Sequence, residues 1–257
     1  MPATMDLLLK AHYRSPGVPE SYAGSSELKP AEARILSRLR PELANASLLD
    51  IGVGAGRTAP GLRAAGRRYL GLDYSLPMLA LCRIRLRDAP LIHCDAQELC
   101  LRSASFDAAF CWDALGDAGH AARMRMLREI HRVLRSGGWL IFRANNLDAP
   151  RRRPFAFPAA AGTGLRTRLS ALGRYLRGIA HHLRTRRYES RGGGYEVAGD
   201  PYFDYALLSY YIQRDAQVRQ LEDLGFSAVE VLGINGTPLA GGVCSDPFLF
   251  YIASRSD

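Results

Sequence analysis

The fold class of this chain of 257 residues can be predicted from the stretch Leu48-Leu49-Asp50-Ile51-Gly52-Val53-Gly54-Ala55-Gly56-Arg57. Its first four residues form a short apolar run typical of a buried strand, and three alternating glycines follow it directly. Glycine lets the backbone approach a ligand closely and point its N–H groups at it. A strand followed by GxGxG and a helical pattern therefore predicts a cofactor-binding turn, whereas a dinucleotide fold prefers the spacing GxGxxG.

Short apolar runs alternate with helical patterns on both sides of this turn. Further strands are predicted at residues 69–73, 91–95, 106–112 and 139–142, with helices between them. A last helix near residues 214–224 precedes two closing strands at 227–232 and 248–253. Strands that alternate with helices imply an α/β fold with a parallel sheet covered on both faces.

Two of the predicted strands end in an acidic residue. Asp73 ends the second strand, 17 residues after Gly56, and Asp95 ends the third. A carboxylate in the first position can accept hydrogen bonds from both hydroxyls of a ribose, and the second can meet an adenine edge. Both positions lie at the carboxyl ends of strands, where ligands bind in open α/β sheets.

With these features in place, residues 48–142 resemble the class I S-adenosylmethionine (SAM) dependent methyltransferases. The matching stretches follow the family's order: LLDIGVGAGR (48–57), YLGLDYSLPML (69–79), IHCDAQEL (92–99), SFDAAFCWDALGD (105–117) and LREIHRVLRSGGWLIF (127–142). The resemblance implies a Rossmann-like, mostly parallel seven-stranded sheet with helices on both faces. It also implies SAM as cofactor and S-adenosylhomocysteine as product.

The resemblance assigns cofactor contacts to particular residues. Those expected around the amino-acid end of SAM are Asp50, Gly52, Gly54 and Gly56. Those expected around the ribose and adenine are Asp73, Tyr74, Met78, Asp95, Ala96 and Gln97. Cys111 and Trp112 would lie beside the methionine part and the transferred methyl group.

The second half resembles a bacterial subgroup of the same enzymes. The stretches that carry this resemblance are NNLDAP (145–150), DYALLSYYI (204–212), QLEDLGF (220–226) and SDPFLFYIA (245–253). We divide the chain into an N-terminal lead-in or lid, residues 1–45, and a methyltransferase domain, residues 46–257. A helical and aromatic insertion at about 148–212 separates the fifth strand from the last helix.

The acceptor site is open to several interpretations. Methyl transfer needs a base only if the acceptor carries a proton, and His120 and Asp113 are the candidates. His120 also fits an exposed residue at the start of a helix. The candidate substrate-binding residues are Tyr13, Tyr22, Asn145, Asn146, Tyr210 and Tyr211. The aromatic residues of the insertion fit equally well a stacking surface for a planar acceptor or the insertion's own small core.

The formal net charge of +9 is concentrated in the insertion. Residues 151–191 carry 11 arginines and one acid, whereas residues 1–150 have a net charge of +5 and residues 192–257 of −6. Leucine and isoleucine recur at helical spacing from Leu165 to Leu183. We expect an amphipathic cap helix packed on the domain with its arginines in water. The alternatives are a membrane-surface helix over residues 163–187 and contact with an anionic substrate or nucleic acid.

Composition and charge narrow the function further. A hydrophobic share of 47% excludes a wholly disordered chain, and no apolar run approaches the length that spans a bilayer. Five scattered cysteines without a CxxC pair argue against a zinc site and fit a location in the cytoplasm.

Among the possible methyl acceptors we prefer a small molecule. An RNA or other nucleic-acid methyltransferase and a non-catalytic SAM-binding scaffold are the alternatives.

Overall fold

In a computed structural model, the chain is described over residues 3–24, 27–150, 165–239 and 244–257. The helices are α1 (Ala3–Arg14), α2 (Val18–Ala23), α3 (Pro30–Leu43), α4 (Ala59–Ala65), α5 (Leu76–Arg85), α6 (Ala114–Asp117), α7 (His120–Val133), α8 (Leu165–Thr185) and α9 (Arg214–Glu222). The strands are β1 (Ser47–Ile51), β2 (Arg68–Asp73), β3 (Leu91–His93), β4 (Phe106–Cys111), β5 (Leu134–Asn146), β6 (Ser190–Gly192), β7 (Tyr195–Gly199), β8 (Leu208–Ile212), β9 (Phe226–Leu232) and β10 (Phe248–Arg255).

The seven predicted strands form the body of one twisted sheet. Their order is β3-β2-β1-β4-β5, and β10 then pairs with β5 and with β9. Strands β1 to β5 pair in parallel, whereas β10 is antiparallel to both of its neighbours. The predicted mostly parallel α/β sheet is thus confirmed. The third strand ends at His93, so Asp95 lies two residues beyond it.

Helices cover both faces of the sheet because successive strand side chains point to opposite faces. Leu48 belongs to the core under α3, α4 and α5, whereas Leu49 and Ile51 belong to the core under α7 and α9. All five residues of β1 are buried. The strands' shared carboxyl edge is therefore held between two packed layers.

The insertion contains three strands besides its helix, so the expectation of a helical and aromatic segment is incomplete. Asn145 of β5 pairs with Phe248 of β10 on one edge and with Tyr211 of β8 on the other. Pairing of β4 with β5 ends at Cys111 and Phe142, so β8 takes over the same edge of β5 beyond the end of β4. Aromatic and branched side chains favour strands, and the free edge offers backbone partners.

Helix α8 corrects a second expectation about the insertion. The leucine stripe does not pack on the domain: Leu169, Leu172, Leu176 and Leu183 are between 39% and 59% exposed. The buried side of α8 includes Gly178, where an added Cβ would lie 3.4 Å from the Tyr205 ring. Of the helices in the described ranges, not one combines the length and the apolar character needed to cross a membrane.

Candidate cofactor and acceptor site

The glycine turn after β1 is built from residues with left-handed backbones. Gly52, Gly54 and Gly56 have φ values of 71°, 53° and 82°. An added Cβ would lie 2.7 Å from the Cβ of Ala114 at Gly52, and 2.8 Å from the Sγ of Cys82 at Gly56. At Gly52 and Gly56 a side chain is therefore excluded both by conformation and by space.

Asp73 ties the glycine turn to the start of α5. Its Oδ2 accepts a hydrogen bond from the Gly54 N–H at 2.9 Å, and its Oδ1 accepts one from the Ser75 N–H at 2.8 Å. Burial raises the pKa of Asp73. Ser75 caps α5 by accepting a hydrogen bond from the N–H of Met78, a buried residue. The structure thus brings together the turn, the strand-end acid and the helix start that the sequence singled out.

The segment after β3 faces the N-terminal helix. The Oδ2 of Asp95 accepts a hydrogen bond from Lys10 Nζ at 2.5 Å, and its Oδ1 accepts one from the Gln97 N–H at 2.9 Å. The Gln97 amide donates to Asp6 Oδ1 at 2.9 Å, and Ala96 is buried. Asp95 and Gln97 are therefore held by side chains of α1 in this structure.

Helix α1 also covers the segment that follows β2. Arg14 donates a hydrogen bond to the Tyr74 carbonyl, and Ser75 Oγ donates one to the Tyr13 carbonyl at 2.8 Å. The rings of Tyr13 and Tyr22 lie 5.9 Å apart. The hydroxyl of Tyr74 is buried with no hydrogen-bond partner among the described residues. The predicted lid residues thus lie across the residues expected to hold the ribose and adenine.

Asp117, at the end of α6, is a candidate that sequence reasoning missed. Its Oδ2 accepts a hydrogen bond from the Tyr13 hydroxyl at 2.6 Å. Burial raises its pKa to about 7, and the nearby charges of Asp113 and Asp200 act in the same direction. Asp117 lies four residues after Asp113, just past the end of β4, and this position in the sequence could have indicated it as a site residue. Such a carboxyl can gain and lose a proton near neutral pH.

Asp113 is in a different electrostatic environment. It forms an ion pair with Arg143 and lies 3.8 Å from Arg57. Burial raises its pKa, but Arg143, Lys29 and Arg57 outweigh this effect and hold the pKa below its ordinary value. A carboxylate whose pKa is lowered in this way is a weaker proton acceptor than an ordinary carboxylate.

His120, the first residue of α7, contacts the aromatic residues of the insertion. Its ring stacks on Tyr195 at 4.1 Å between centroids, and its Nδ1 lies 3.0 Å from the Tyr210 hydroxyl. Burial lowers the pKa of His120, and Arg123 lowers it further. Arg123 is itself fully buried, 4.5 Å from the centre of the Tyr210 ring. His120 is thus a half-buried imidazole whose surroundings favour the neutral form, rather than an exposed helix-start residue.

Several residues expected to touch ligand are buried within the protein. Asp50 is 1% exposed and accepts a hydrogen bond from the Tyr69 hydroxyl at 2.8 Å, and burial raises its pKa to about 7. Cys111 and Tyr210 are buried, as is Trp112, whose Nε1 has no hydrogen-bond partner among the described residues. Direct contact of these side chains with a ligand would require rearrangement.

The two asparagines that end β5 have different partners. The amide of Asn146, 2% exposed, donates to the carbonyls of Cys244 and Asp246 at 2.8 and 3.0 Å. Asn145 donates to the Tyr210 carbonyl at 3.1 Å. Tyr211, half-buried, pairs with Asn145 across the β5–β8 ladder. Asn146 is therefore committed to the chain itself, while Asn145 and Tyr211 lie at the carboxyl edge of the sheet.

Sequence comparison matches the same region to known enzymes. Residues 49–142 match the family model described as a methyltransferase domain. Malonyl-[acyl-carrier protein] O-methyltransferase from Pseudescherichia vulneris is 34% identical over 128 residues, 48% of this chain and 48% of that protein. Demethylmenaquinone methyltransferase from Thermotoga maritima is 32% identical over 123 residues, 47% of this chain and 51% of that protein. The matches span about half the length of these curated relatives.

Solved structures extend the similarity to the fold of the whole chain. One is the 1,6-didemethyltoxoflavin-N1-methyltransferase of Burkholderia thailandensis, solved with 1,6-didemethyltoxoflavin and S-adenosylhomocysteine bound. It is 16% identical with a TM-score of 0.59, covering 100% of this chain and 91% of that one. A SAM-dependent methyltransferase from Mesorhizobium loti is 21% identical with a TM-score of 0.56, covering 88% and 98%. Residues 49–142 thus match a methyltransferase domain, and the fold of the chain is similar to that of solved SAM-dependent methyltransferases.

Proposed function

We propose that the protein transfers a methyl group from SAM to a small or medium-sized acceptor at an oxygen, nitrogen or carbon atom, and releases S-adenosylhomocysteine. One observation carries the proposal: the carboxylate of Asp73 is fixed beside the glycine turn by hydrogen bonds from Gly54 and Ser75. Each of its oxygens retains a lone pair that can accept a hydrogen bond from a ribose hydroxyl.

The described residues fit this cofactor. The three glycines of the turn carry no side chain that could cover their backbone, and the buried Tyr74 hydroxyl has no hydrogen-bond partner among the described residues. Bound SAM supplies an electrophilic methyl group on a sulfonium sulfur. Asp73 would hold the ribose, and the segment from Asp95 to Gln97 would meet the adenine. Lys10 would then share Asp95 with the adenine or release it. Either is possible because the side chain of Asp95 is partly exposed in this ion pair.

The N-terminal helix serves in this proposal as a lid. Methyl transfer is an in-line displacement in which charge is lost, so the protein's main tasks are alignment and exclusion of water. Helix α1 reaches both sides of the site, through Lys10 to Asp95 and through Tyr13 to Asp117. A segment held through hydrogen bonds of this kind can open for the acceptor and close again.

Asp117 is the group we assign to proton removal when the acceptor carries a proton. Its carboxyl lies at the carboxyl edge of the sheet, under Tyr13 of the lid and near Asp200 of the insertion. Part of the population is ionised at neutral pH because burial raises the pKa to about 7. His120 is the alternative base, and Tyr13, Tyr22, Asn145 and Tyr211 are proposed to line the acceptor site.

The names of the relatives bear on the class of acceptor that we propose. The names of the proteins reported above describe methyl transfer to malonyl-[acyl-carrier protein], to demethylmenaquinone and to 1,6-didemethyltoxoflavin. These names support a small or carrier-bound acceptor over a nucleic acid. All five cysteines are free thiols, which supports a location in the reducing cytoplasm.

Incubation with labelled SAM and fractionated metabolite extracts tests the proposal. We expect one or a few fractions to yield a methylated product that mass spectrometry identifies. Asp117→Asn should bind SAM normally but form this product about 100-fold more slowly. Asp88→Asn, an exposed carboxyl on another part of the surface, serves as the control. Tight SAM binding without a product from any extract would instead favour a non-catalytic scaffold.

A further inference from the structure

The outward face of α8 is apolar. Leu169, Leu176 and Leu183 are 59%, 55% and 55% exposed, and their spacing of seven residues places them on one side of the helix. Leu172, 39% exposed, lies on the same side. Contiguous exposed leucines are uncommon on a monomeric surface and mark interaction sites.

The opposite face holds α8 on the domain and fixes the direction in which the leucines point. Gly178 is buried against the ring of Tyr205. Thr185 Oγ1 lies 3.3 Å from the carbonyl of Tyr205, and His181 Nδ1 lies 3.0 Å from the carbonyl of Asp204. The leucine stripe is therefore presented away from the sheet by a helix that is anchored along its other side.

Positive charge flanks the leucine stripe. Arg177 and Arg184 are exposed about a quarter turn from the leucines, and the turn after α8 adds the exposed Arg186 and Arg187. The sequence of α8 contains no acidic residue. An apolar stripe with arginines beside it is complementary to an anionic lipid surface, with acyl chains below and phosphates above.

Other occupants fit these features less well. A nucleic acid would use the arginines but would leave the leucines in water. A second copy packed on the same face would bring two arginine-rich flanks together without a compensating acid on α8.

We propose that α8 binds peripherally to anionic membranes, with its leucines inserted at the interface and its arginines against lipid phosphates. The leucines and arginines of this surface are not among the proposed cofactor and acceptor residues, so variants of them test membrane binding separately from methyl transfer. An acceptor dissolved in or delivered from a membrane would reach an enzyme held there.

Co-sedimentation of the full chain with vesicles tests this proposal. We expect binding to phosphatidylcholine vesicles that contain phosphatidylglycerol, and little binding to phosphatidylcholine alone. The double variant Leu176→Ser and Leu183→Ser should partition about tenfold more weakly. Ile84→Ser on α5, where the side chain is 75% exposed, is the matched control and should bind as the wild type does.

A second pair of variants separates charge from apolar contact. Arg177→Gln with Arg184→Gln should weaken binding by about tenfold, and added salt should reduce this difference. Arg40→Gln on α3 is the matched control. Circular dichroism and thermal unfolding check that each variant is folded.

Several results would overturn the proposal. One is that the wild type binds neither kind of vesicle, and another is that it binds both kinds equally. In a third such result, the leucine variants would bind vesicles as tightly as the wild type does. Dimerisation that the leucine variants abolish, without vesicle binding, would assign the face to a second copy. RNA binding that depends on the arginines but not on the leucines would assign it to nucleic acid.

Discussion

Replacing Asp50 by asparagine measures the cost of one buried carboxyl in the strand that precedes the glycine turn. Asp50 is 1% exposed, and its contact with the Tyr69 hydroxyl only partly offsets desolvation, so its pKa rises from 3.8 to about 7. A buried carboxyl of this kind costs the fold less free energy when it is protonated than when it is ionised.

The pH window and the magnitude follow from linkage. Below the unfolded pKa of 3.8 the Asp50 carboxyl is protonated in both the folded and the unfolded state, so it does not lower the free energy of unfolding there. As the pH rises towards about 7, the unfolded chain loses the proton while the folded chain keeps it, so stability falls and then levels off. A shift of about three pKa units corresponds to about 4 kcal/mol as an upper bound.

The asparagine variant removes this pH dependence. Its amide oxygen keeps the acceptor for Tyr69, while its new NH₂ group costs about 1–3 kcal/mol if it finds no partner. Asp50→Asn should therefore be less stable than the wild type at acidic pH and more stable above neutral pH. The difference in free energy of unfolding should change by about 4 kcal/mol across the window.

Urea unfolding of both proteins at a series of pH values provides the measurement. Tyr69→Phe is the companion variant: because the Tyr69 hydrogen bond lowers the pKa of Asp50, its loss should extend the window to higher pH. If the difference in free energy of unfolding between wild type and Asp50→Asn stays constant with pH, the pKa of Asp50 is not raised in the folded state.

Three further changes test other parts of the account. Gly52→Ala should lower the free energy of unfolding by about 2–4 kcal/mol in urea titrations, because the left-handed backbone disfavours a side chain and the new Cβ would clash with Ala114. An unchanged midpoint of urea unfolding would contradict this. Arg57→Leu should lower the free energy of unfolding by about 3–5 kcal/mol, because it leaves the fully buried Glu32 without its ion-pair partner. The double variant Arg57→Leu and Glu32→Gln should recover part of this stability. Equal losses in the single and the double variant would contradict a buried ion pair. In a ¹³C NMR titration the carboxyl of Asp117 should have its midpoint at about 7, and Tyr13→Phe should raise it; an ordinary carboxyl value would remove Asp117 from the proposed mechanism.

Local patterns in the sequence predict much of the fold and of the cofactor site. A buried strand that ends in alternating glycines needs left-handed backbones, and Gly52, Gly54 and Gly56 adopt them. Asp73 follows a second apolar run, and parallel strands bring their carboxyl ends to one edge. These features depend on residues close in sequence and on a regular topology, so periodicity and spacing are sufficient.

Other features depend on contacts between distant segments. Lys10 and Asp95 are 85 residues apart, and Tyr13 and Asp117 are 104 apart, so no local pattern indicates either pair. The raised pKa of Asp117 comes from burial that only the folded chain creates. The leucine stripe of α8 indicated a helix, but which side packs on the domain was decided by Gly178 and its contact with Tyr205.

Calorimetric titration with SAM tests the central claim most directly, with Asp73→Ala compared against Asp107→Ala. Both carboxylates accept a hydrogen bond from a backbone N–H, that of Gly54 for Asp73 and that of Ser47 for Asp107, but Asp107 lies at the amino-terminal end of β4, away from the glycine turn. We expect tight binding by the wild type and by Asp107→Ala, and a loss of affinity of at least about 100-fold in Asp73→Ala. Unchanged affinity in Asp73→Ala, or no binding of SAM by the wild type, would contradict it.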